Sequence, residues 1–340
     1  MVARRPVPVP LIDPHARRVE DLRVSITDRC NFRCTYCMPA EGMAWLPRRE
    51  LLTYEEIARV ARVCVERFGF RSVRITGGEP LVRAHVTRLI AMLAGLGVDL
   101  ALTTNGVKLP ELAHDLRAAG LRRVNVSLDS LRRETFLALT RRDELDRVLA
   151  GIDAALDAGL LPVKVNAVVI RGVNDDEIVD LAAYARDKGV GLRFIEYMPL
   201  DAEQGWTREQ VVPAAEILER LDAVFPIEPA AGGGPEPAER YRYRDGAGEV
   251  GVIASVTAPF CGNCDRVRLT AEGRFRTCLF ALEEFDLRAE LRAGAGLDAP
   301  DLDDRLAAAI AGAVGTKWAG HRIGGEDFVR PARSMSQIGG

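Results

Sequence analysis

The chain has 340 residues, 48% of them hydrophobic and 28% charged, with a net charge of −3. That length supports one large domain or two smaller ones, and the composition is that of an ordinary globular protein. A net charge so close to zero offers no global field for nucleic acid, and no apolar run is long enough to span a bilayer, so neither partner is expected.

Residues 1–18 carry Arg4, Arg5, Arg17 and Arg18 among four prolines. They lack the apolar stretch of a secretory signal, so they read as a flexible extension on a cytoplasmic protein. Seven cysteines in such a chain are better read as metal ligands than as disulfides.

Residues 22–27 alternate apolar and polar side chains like a strand. The loop leaving them holds Cys30, Cys34 and Cys37 as C-x3-C-x2-C, with Tyr36 just before the last. Three thiolates on one loop suit zinc or an iron–sulfur cluster. A structural zinc is normally closed by four ligands, and only three are local here. A cluster held this way keeps one iron open. A zinc site completed from elsewhere and a redox C-x2-C pair are the alternatives.

Thr53 and Glu56 have capping-box spacing and open a helix to about residue 68. On it Cys64 falls among Ile57, Val60, Ala61 and Phe68, as a small buried apolar residue. A strand at 72–76 ends in Gly77-Gly78-Glu79-Pro80. There follow a helix at 84–96, a strand at 98–103, a helix at 109–119 and a strand at 123–128. A long helical stretch at 134–158, a strand at 163–170, a helix at 174–188 and a strand at 191–197 complete the run. This alternation predicts a parallel sheet with its chemistry at the carboxyl ends of the strands. A six-unit partial barrel and a doubly wound sheet fit the periodicity equally well.

Beyond Phe225 the texture changes. Residues 229–239 are rich in Ala, Gly and Pro and predict a loop. Strands at 241–244 and 250–256 flank a hairpin turn at 245–248. Residues 246–251 match G-x-G-x-x-G in form, but a strand follows, so no dinucleotide site is expected, and no phosphate loop occurs. Cys261, Cys264 and Cys278 then form C-x2-C-x13-C. They read either as zinc ligands closed by a residue such as His321, or as holders of a second cluster. Arg266 and Arg268 flank Val267 in a strand pattern, which puts both guanidiniums on one face as a candidate anion clamp. The plainer reading is solvated surface.

C-x3-C-x2-C with an adjacent aromatic resembles the radical S-adenosylmethionine (SAM) superfamily. The ordered set of that loop, Gly-Gly-Glu-Pro, Thr-Thr-Asn-Gly at 103–106, Asn-Val-Ser-Leu-Asp-Ser at 125–130, the C-terminal cysteines with Arg-Val-Arg, and Gly339-Gly340 resembles the GTP 3′,8-cyclase family of molybdenum cofactor biosynthesis. The likeness runs from about residue 11 to residue 340; the N-terminal extension and the 229–239 stretch depart from it.

The resemblance implies an α/β fold, a partial (β/α)6 radical SAM barrel over 19–228. A C-terminal α+β region over 240–340 would carry an auxiliary cluster. Cys30, Cys34 and Cys37 would hold one 4Fe–4S cluster with SAM on its open iron, and Cys261, Cys264 and Cys278 a second cluster that engages guanine. Tyr36, Gly77, Gly78, Glu79, Ser127 and Met198 would contact SAM. Arg23, Arg74, Thr103, Lys164, Arg193, Arg266, Val267 and Arg268 would contact GTP, with Arg266 and Arg268 also catalytic. Core packing is the plain alternative for Met198, and a frayed tail for Gly339-Gly340, which the family reading sends into the active site.

The implied reaction cleaves SAM reductively to a 5′-deoxyadenosyl radical. That radical takes the ribose 3′ hydrogen of GTP, and closure onto guanine C8 gives 3′,8-cyclo-7,8-dihydro-GTP. A flavodoxin- or ferredoxin-type electron donor, cyclic pyranopterin monophosphate synthase as next enzyme, and a homodimer are implied as well.

Overall fold

The computed structural model describes residues 7–231, 234–325 and 327–339. The expectations placed on residues 1–6 and on Gly340 lie outside them. β1 (Asp21–Ser25) leads into the first cysteine loop, and α1 (Tyr54–Phe68), β2 (Ser72–Thr76), α2 (Val86–Ala94), β3 (Asp99–Thr104), α3 (Leu109–Ala118) and β4 (Arg123–Ser127) follow. Next come α4 (Arg133–Thr140), α5 (Leu145–Asp157), β5 (Val163–Val169), α6 (Ile178–Lys188) and β6 (Gly191–Glu196). The C-terminal part contains α7 (Ala214–Asp222), β7 (Ile227–Pro229), β8 (Glu239–Tyr243), β9 (Glu249–Ile253), β10 (Arg266–Leu269), β11 (Arg274–Arg276) and β12 (Phe285–Asp286). It ends with α8 (Leu287–Arg292), α9 (Leu302–Val314) and α10 (Met335–Ile338).

Local chemistry sets the boundaries. Thr53 Oγ1 accepts from Glu56 N at 3.1 Å, and Glu56 Oε2 accepts from Thr53 N at 2.7 Å, so two free donors at the start of α1 are satisfied. Gly69 ends that helix in the left-handed region at φ +74°. The single long helix expected over 134–158 is two helices. Arg141 takes φ +56° and stops α4, and its guanidinium reaches back to Met38 O at 3.1 Å.

β1 to β6 pair in parallel in chain order, as the βα alternation requires. The order then departs from the chain. β9 joins β6 in parallel and β10 joins β1 in parallel, giving one sheet ordered β12-β11-β10-β1-β2-β3-β4-β5-β6-β9-β8-β7 among the described residues. The C-terminal region therefore extends the sheet of β1 to β6 at both ends of that run. β5 shows how the faces divide. Val163, Val165, Ala167 and Val169 are buried in the core, while Lys164, Asn166 and Val168 are half-buried on the other face.

The flexible extension expected at 1–18 is corrected for residues 7–18. Val9 N donates to Arg67 O at 2.8 Å and Val19 N to Leu11 O at 2.9 Å. Arg17 and Asp13 form a buried ion pair at 2.6 Å. Arg17 and Arg18, two of the arginines that suggested disorder, are thus engaged, Arg18 pairing with Glu20.

Candidate active site

One cavity runs through the curved sheet from the carboxyl ends of the strands, where Cys30, Cys34 and Cys37 follow β1, to the amino ends, where Cys261 and Cys264 precede β10, and both cysteine sets line it. Arg23 of β1, Arg74 of β2, Thr103 of β3, Ser127 of β4, Asn166 of β5, Arg193 of β6 and Arg266 of β10 all face it. A single cavity lined by so many successive strands requires the sheet to curve around it.

The first cysteine loop is held from several sides. Asn105 of the Thr-Thr-Asn-Gly run donates from Nδ2 to Asn31 Oδ1 at 2.7 Å and lies 4.0 Å from Cys30 Sγ. Tyr36 OH donates to Asp129 Oδ2 at 2.5 Å, and Val168 N donates to Asp129 Oδ1 at 2.8 Å. Burial pushes the Asp129 carboxyl up to about 6. Gly77 and Gly78 run against the backbone that precedes Cys30. A methyl group on Gly78 would stand 2.4 Å from Arg29 O, and one on Gly77, at φ +138°, 2.4 Å from Thr27 O. Glycine is needed here for close backbone approach. Glu79 turns away from the cavity. Its buried carboxylate accepts from Leu81 N (2.9 Å), Thr104 Oγ1 (2.7 Å) and Asn105 N (2.7 Å). It thus ties Gly-Gly-Glu-Pro to Thr-Thr-Asn-Gly, and a direct SAM contact for its side chain is corrected to this tie.

The cationic residues divide. Arg23, Arg74, Arg266 and Arg268 line the cavity, and among the described residues Arg23, Arg74 and Arg268 form no ion pair with a carboxylate. Arg23 Nε, Arg74 Nε and both Nε and Nη2 of Arg266 are buried without a hydrogen-bond partner. Burial, with Arg74 next, pulls Arg23 down to about 9, and burial pulls Arg74 down to about 10. Burial and then Arg23 and Arg266 hold Arg268 far below its ordinary range. Arg193 faces the cavity and pairs with Glu236 at 3.0 Å. Lys164, near the amino end of β5, lies in register with Asn125 and through it with Thr103, with Arg193 and Glu236 in its field. Val267 points the other way, fully buried in the core, so a substrate contact through its side chain is corrected. Met198 lines the cavity and also packs against the small cluster of Leu200, Phe280 and Ile338.

Two residues that the sequence reading missed hold the second cysteine set. Arg17 donates to Cys261 O and Ala319 O at 2.6 Å each and to Trp318 O at 2.5 Å. Lys317 donates to Cys264 Sγ, Arg266 O and Thr277 O. Nothing in the local sequence marks either one, because their partners are far away in the chain. His321 also lines the cavity, its ring centroid 5.1 Å from that of Phe280. The C-terminal tail enters the same space. Arg268 donates to Ile338 O at 3.3 Å and to Gly339 O, and Ser336 hydrogen-bonds Cys37.

The donor chemistry fits thiolate-bound clusters. Burial pushes Cys30 up to about 12, Cys37 up to about 11 and Cys34 well above the ordinary thiol range. A bound soft metal would stabilise their thiolate forms against that burial. In the second set burial raises Cys264, but Arg266 and Lys317 outweigh it and bring the thiol below its ordinary value. Among the described residues no three Cys, His, Asp or Glu side chains gather around a point suited to one metal ion. A cluster with several irons reaches more widely spaced sulfurs.

A βα sheet curved around one cavity, with three cysteines on the loop after its first strand, defines a radical SAM enzyme. Residues 24–185 match the Radical SAM superfamily and residues 190–323 match Molybdenum Cofactor Synthesis C. The crystal structure of Streptococcus suis SuiB bound to S-adenosylmethionine shares the fold with TM-score 0.61 at 14% identity, over 87% of this chain and 69% of that one. The GTP 3′,8-cyclase of Streptomyces coelicolor is 52% identical, covering 97% of this chain and 96% of its own. That of Paenarthrobacter nicotinovorans is 50% identical over the whole of both. The chain belongs to the GTP 3′,8-cyclase family.

Proposed function

We propose that this chain converts GTP to 3′,8-cyclo-7,8-dihydro-GTP in molybdenum cofactor biosynthesis, inside the cavity shared by its two cysteine sets. The observation that carries the site assignment is the group of buried arginines, Arg23, Arg74, Arg266 and Arg268, standing between those sets without enough protein carboxylate to neutralise them. A triphosphate brings close to four negative charges, and each charge-assisted contact contributes about 1.5–3 kcal/mol.

Cys30, Cys34 and Cys37 would hold the SAM-binding 4Fe–4S cluster, and Cys261, Cys264 and Cys278 the auxiliary one. When bound, the first cluster and SAM supply a 5′-deoxyadenosyl radical that removes the ribose 3′ hydrogen of GTP. The rest of the work belongs to the chain. Gly77 and Gly78 let the turn after β2 pack against the backbone that leads to Cys30 and so shape the SAM side of the cavity, which Tyr36, Ser127 and Met198 also line. Arg23, Arg74, Thr103, Lys164 and Arg193 face GTP. Arg266 and Arg268 flank the auxiliary site. The tail around Gly339 sits against Arg268 and helps exclude water.

A low-potential donor of the flavodoxin or ferredoxin type, cyclic pyranopterin monophosphate synthase as next enzyme, a homodimer and a cytoplasmic setting complete the reading. Among the described residues no helix is long and apolar enough to cross a membrane, which agrees with that setting. The test is an anaerobic reaction of iron- and sulfide-reconstituted protein with SAM, dithionite and GTP, followed by mass spectrometry. Deoxyadenosine together with a new isomer of GTP is the expected result. Neither product from protein carrying both clusters refutes the reading.

A further inference from the structure

We propose that Lys317 is a positioning residue that ties the arms of the second cysteine set together and sets a fixed positive charge against the cluster it holds. This rests on the assignment of Cys261, Cys264 and Cys278 as cluster ligands. Lys317 lies just beyond α9 and is 3% exposed. Its Nζ donates to Cys264 Sγ at 3.7 Å, to Arg266 O at 2.5 Å and to Thr277 O at 2.9 Å. An ammonium group has three donors, and here each has its acceptor. The acceptors lie on two separate stretches of chain. Cys264 and Arg266 lead into β10, and Thr277 directly precedes Cys278. The lysine therefore fixes the distance between the ligand-bearing arms.

The charge is the less expected part. Among the described residues Lys317 pairs with no carboxylate, and Arg17 and Arg266 stand close enough to repel it. A buried charge without a partner is strongly unfavourable, and an apolar side chain of similar length would fill the space without that cost. The negative charge that balances it is sulfur. A positive group donating a hydrogen bond to a ligand thiolate favours the reduced, more negative form of a cluster and raises its potential. A lysine kept only for packing makes no such prediction.

The experiment uses the full chain with Cys30, Cys34 and Cys37 all changed to Ser, so that iron binds only at the second set. Iron and sulfide content and the midpoint potential are measured for this parent and for its Lys317→Met, Lys317→Gln and Lys317→Arg versions. Met and Gln are expected to shift the reduction equilibrium at least tenfold toward the oxidised form, a fall of about 59 mV for a one-electron couple. Arg should stay near the parent. Loss of iron from Met and Gln with unchanged thermal unfolding, while Arg retains it, supports the tie between the arms. Equal potentials and equal iron in all four proteins overturn the proposal. A parent that takes up no iron at all refutes the ligand assignment itself, and Lys317 falls with it.

Discussion

Glu79→Gln separates the charge of the buried carboxylate from its shape. Burial pushes Glu79 from 4.5 up to about 7, against the pull of Asn105 N, Leu81 N and Thr104 Oγ1. Between those two pH values the folded chain binds more protons at this site than the unfolded chain does. Its contribution to stability is therefore full below about pH 4.5, falls as pH rises, and levels off above about 7. At 1.36 kcal/mol per pH unit the whole fall is roughly 3 kcal/mol. Gln has no proton to lose, so its own contribution stays flat. Its amide NH2, however, must face N–H donors that the carboxylate accepted, a mismatch of about 1–3 kcal/mol for a buried group. The variant should thus be clearly less stable than the parent at pH 4.5 and should close the gap by roughly 3 kcal/mol at pH 7.5. Urea unfolding of the iron-free proteins, compared pairwise across that range, reads the gap directly. A gap that stays constant from pH 4.5 to 7.5 refutes the reasoning, because it means Glu79 titrates alike in both states.

Gly78→Ala places a methyl group 2.4 Å from Arg29 O and 2.5 Å from Asp28 O. The cysteine loop must then move, so iron at the first set should fall while the second set stays loaded, as elemental analysis with spectroscopy would show. Arg266→Ala with Arg268→Ala should weaken GTP binding by about 1.5–3 kcal/mol per lost contact, roughly 10- to 100-fold each, with both clusters retained. Unchanged GTP affinity by calorimetry returns these arginines to a structural role. Arg17→Ala removes the cation paired with buried Asp13, one hydrogen bond to Cys261 O and two to the carbonyls of Trp318 and Ala319, a loss of about 3–5 kcal/mol. Hydrogen exchange should quicken around residues 317–321, and unaltered exchange there argues against the clamp. Cys278→Ser should leave deoxyadenosine formation from SAM running while GTP conversion is lost, and normal conversion would refute the two-cluster assignment.

The local features were legible and the long-range ones were not. Six βα units, the capping box at Thr53 and the turn after β2 follow from patterns within a few residues, and they appear as expected. The break at Arg141 was hidden because the helix periodicity continues across it; the residue takes φ +56° there, and its guanidinium reaches the distant Met38 O and pairs with Glu203. Arg17 looked like one more charge in a polar extension. Its acceptors are 244 to 302 residues away, beyond any local pattern. Val267 alternates with Arg266 and Arg268, so its side chain goes to the opposite face while its backbone stays between theirs. Lys164 shares the cavity-facing side of β5 with Asn166, and the register sets it opposite Asn125, which in turn lies opposite Thr103.

The register explains why the site could not be assembled from the motifs alone. β10 lies beside β1 with Arg268 opposite Arg23, and β1 lies beside β2 with Arg23 opposite Arg74. Three arginines from segments far apart in the chain thus form one row across neighbouring strands, roughly 4.8 Å from one to the next. Like charges directly opposite on adjacent strands are destabilising, and burial makes them more so. Folding stability alone does not favour such a row. An anion shared among the three guanidiniums turns the repulsion into affinity, because each charge lost to desolvation then gains a partner. The same pairing sets Cys264, just before β10, and Cys278, just after the antiparallel β11, at the amino end of β1, whose carboxyl end leads to Cys30. One strand pairing, β10 on β1, therefore sets both the distance between the two cysteine sets and the charge between them. A substitution that weakens that pairing should lose GTP binding and the coupling of the two sites together.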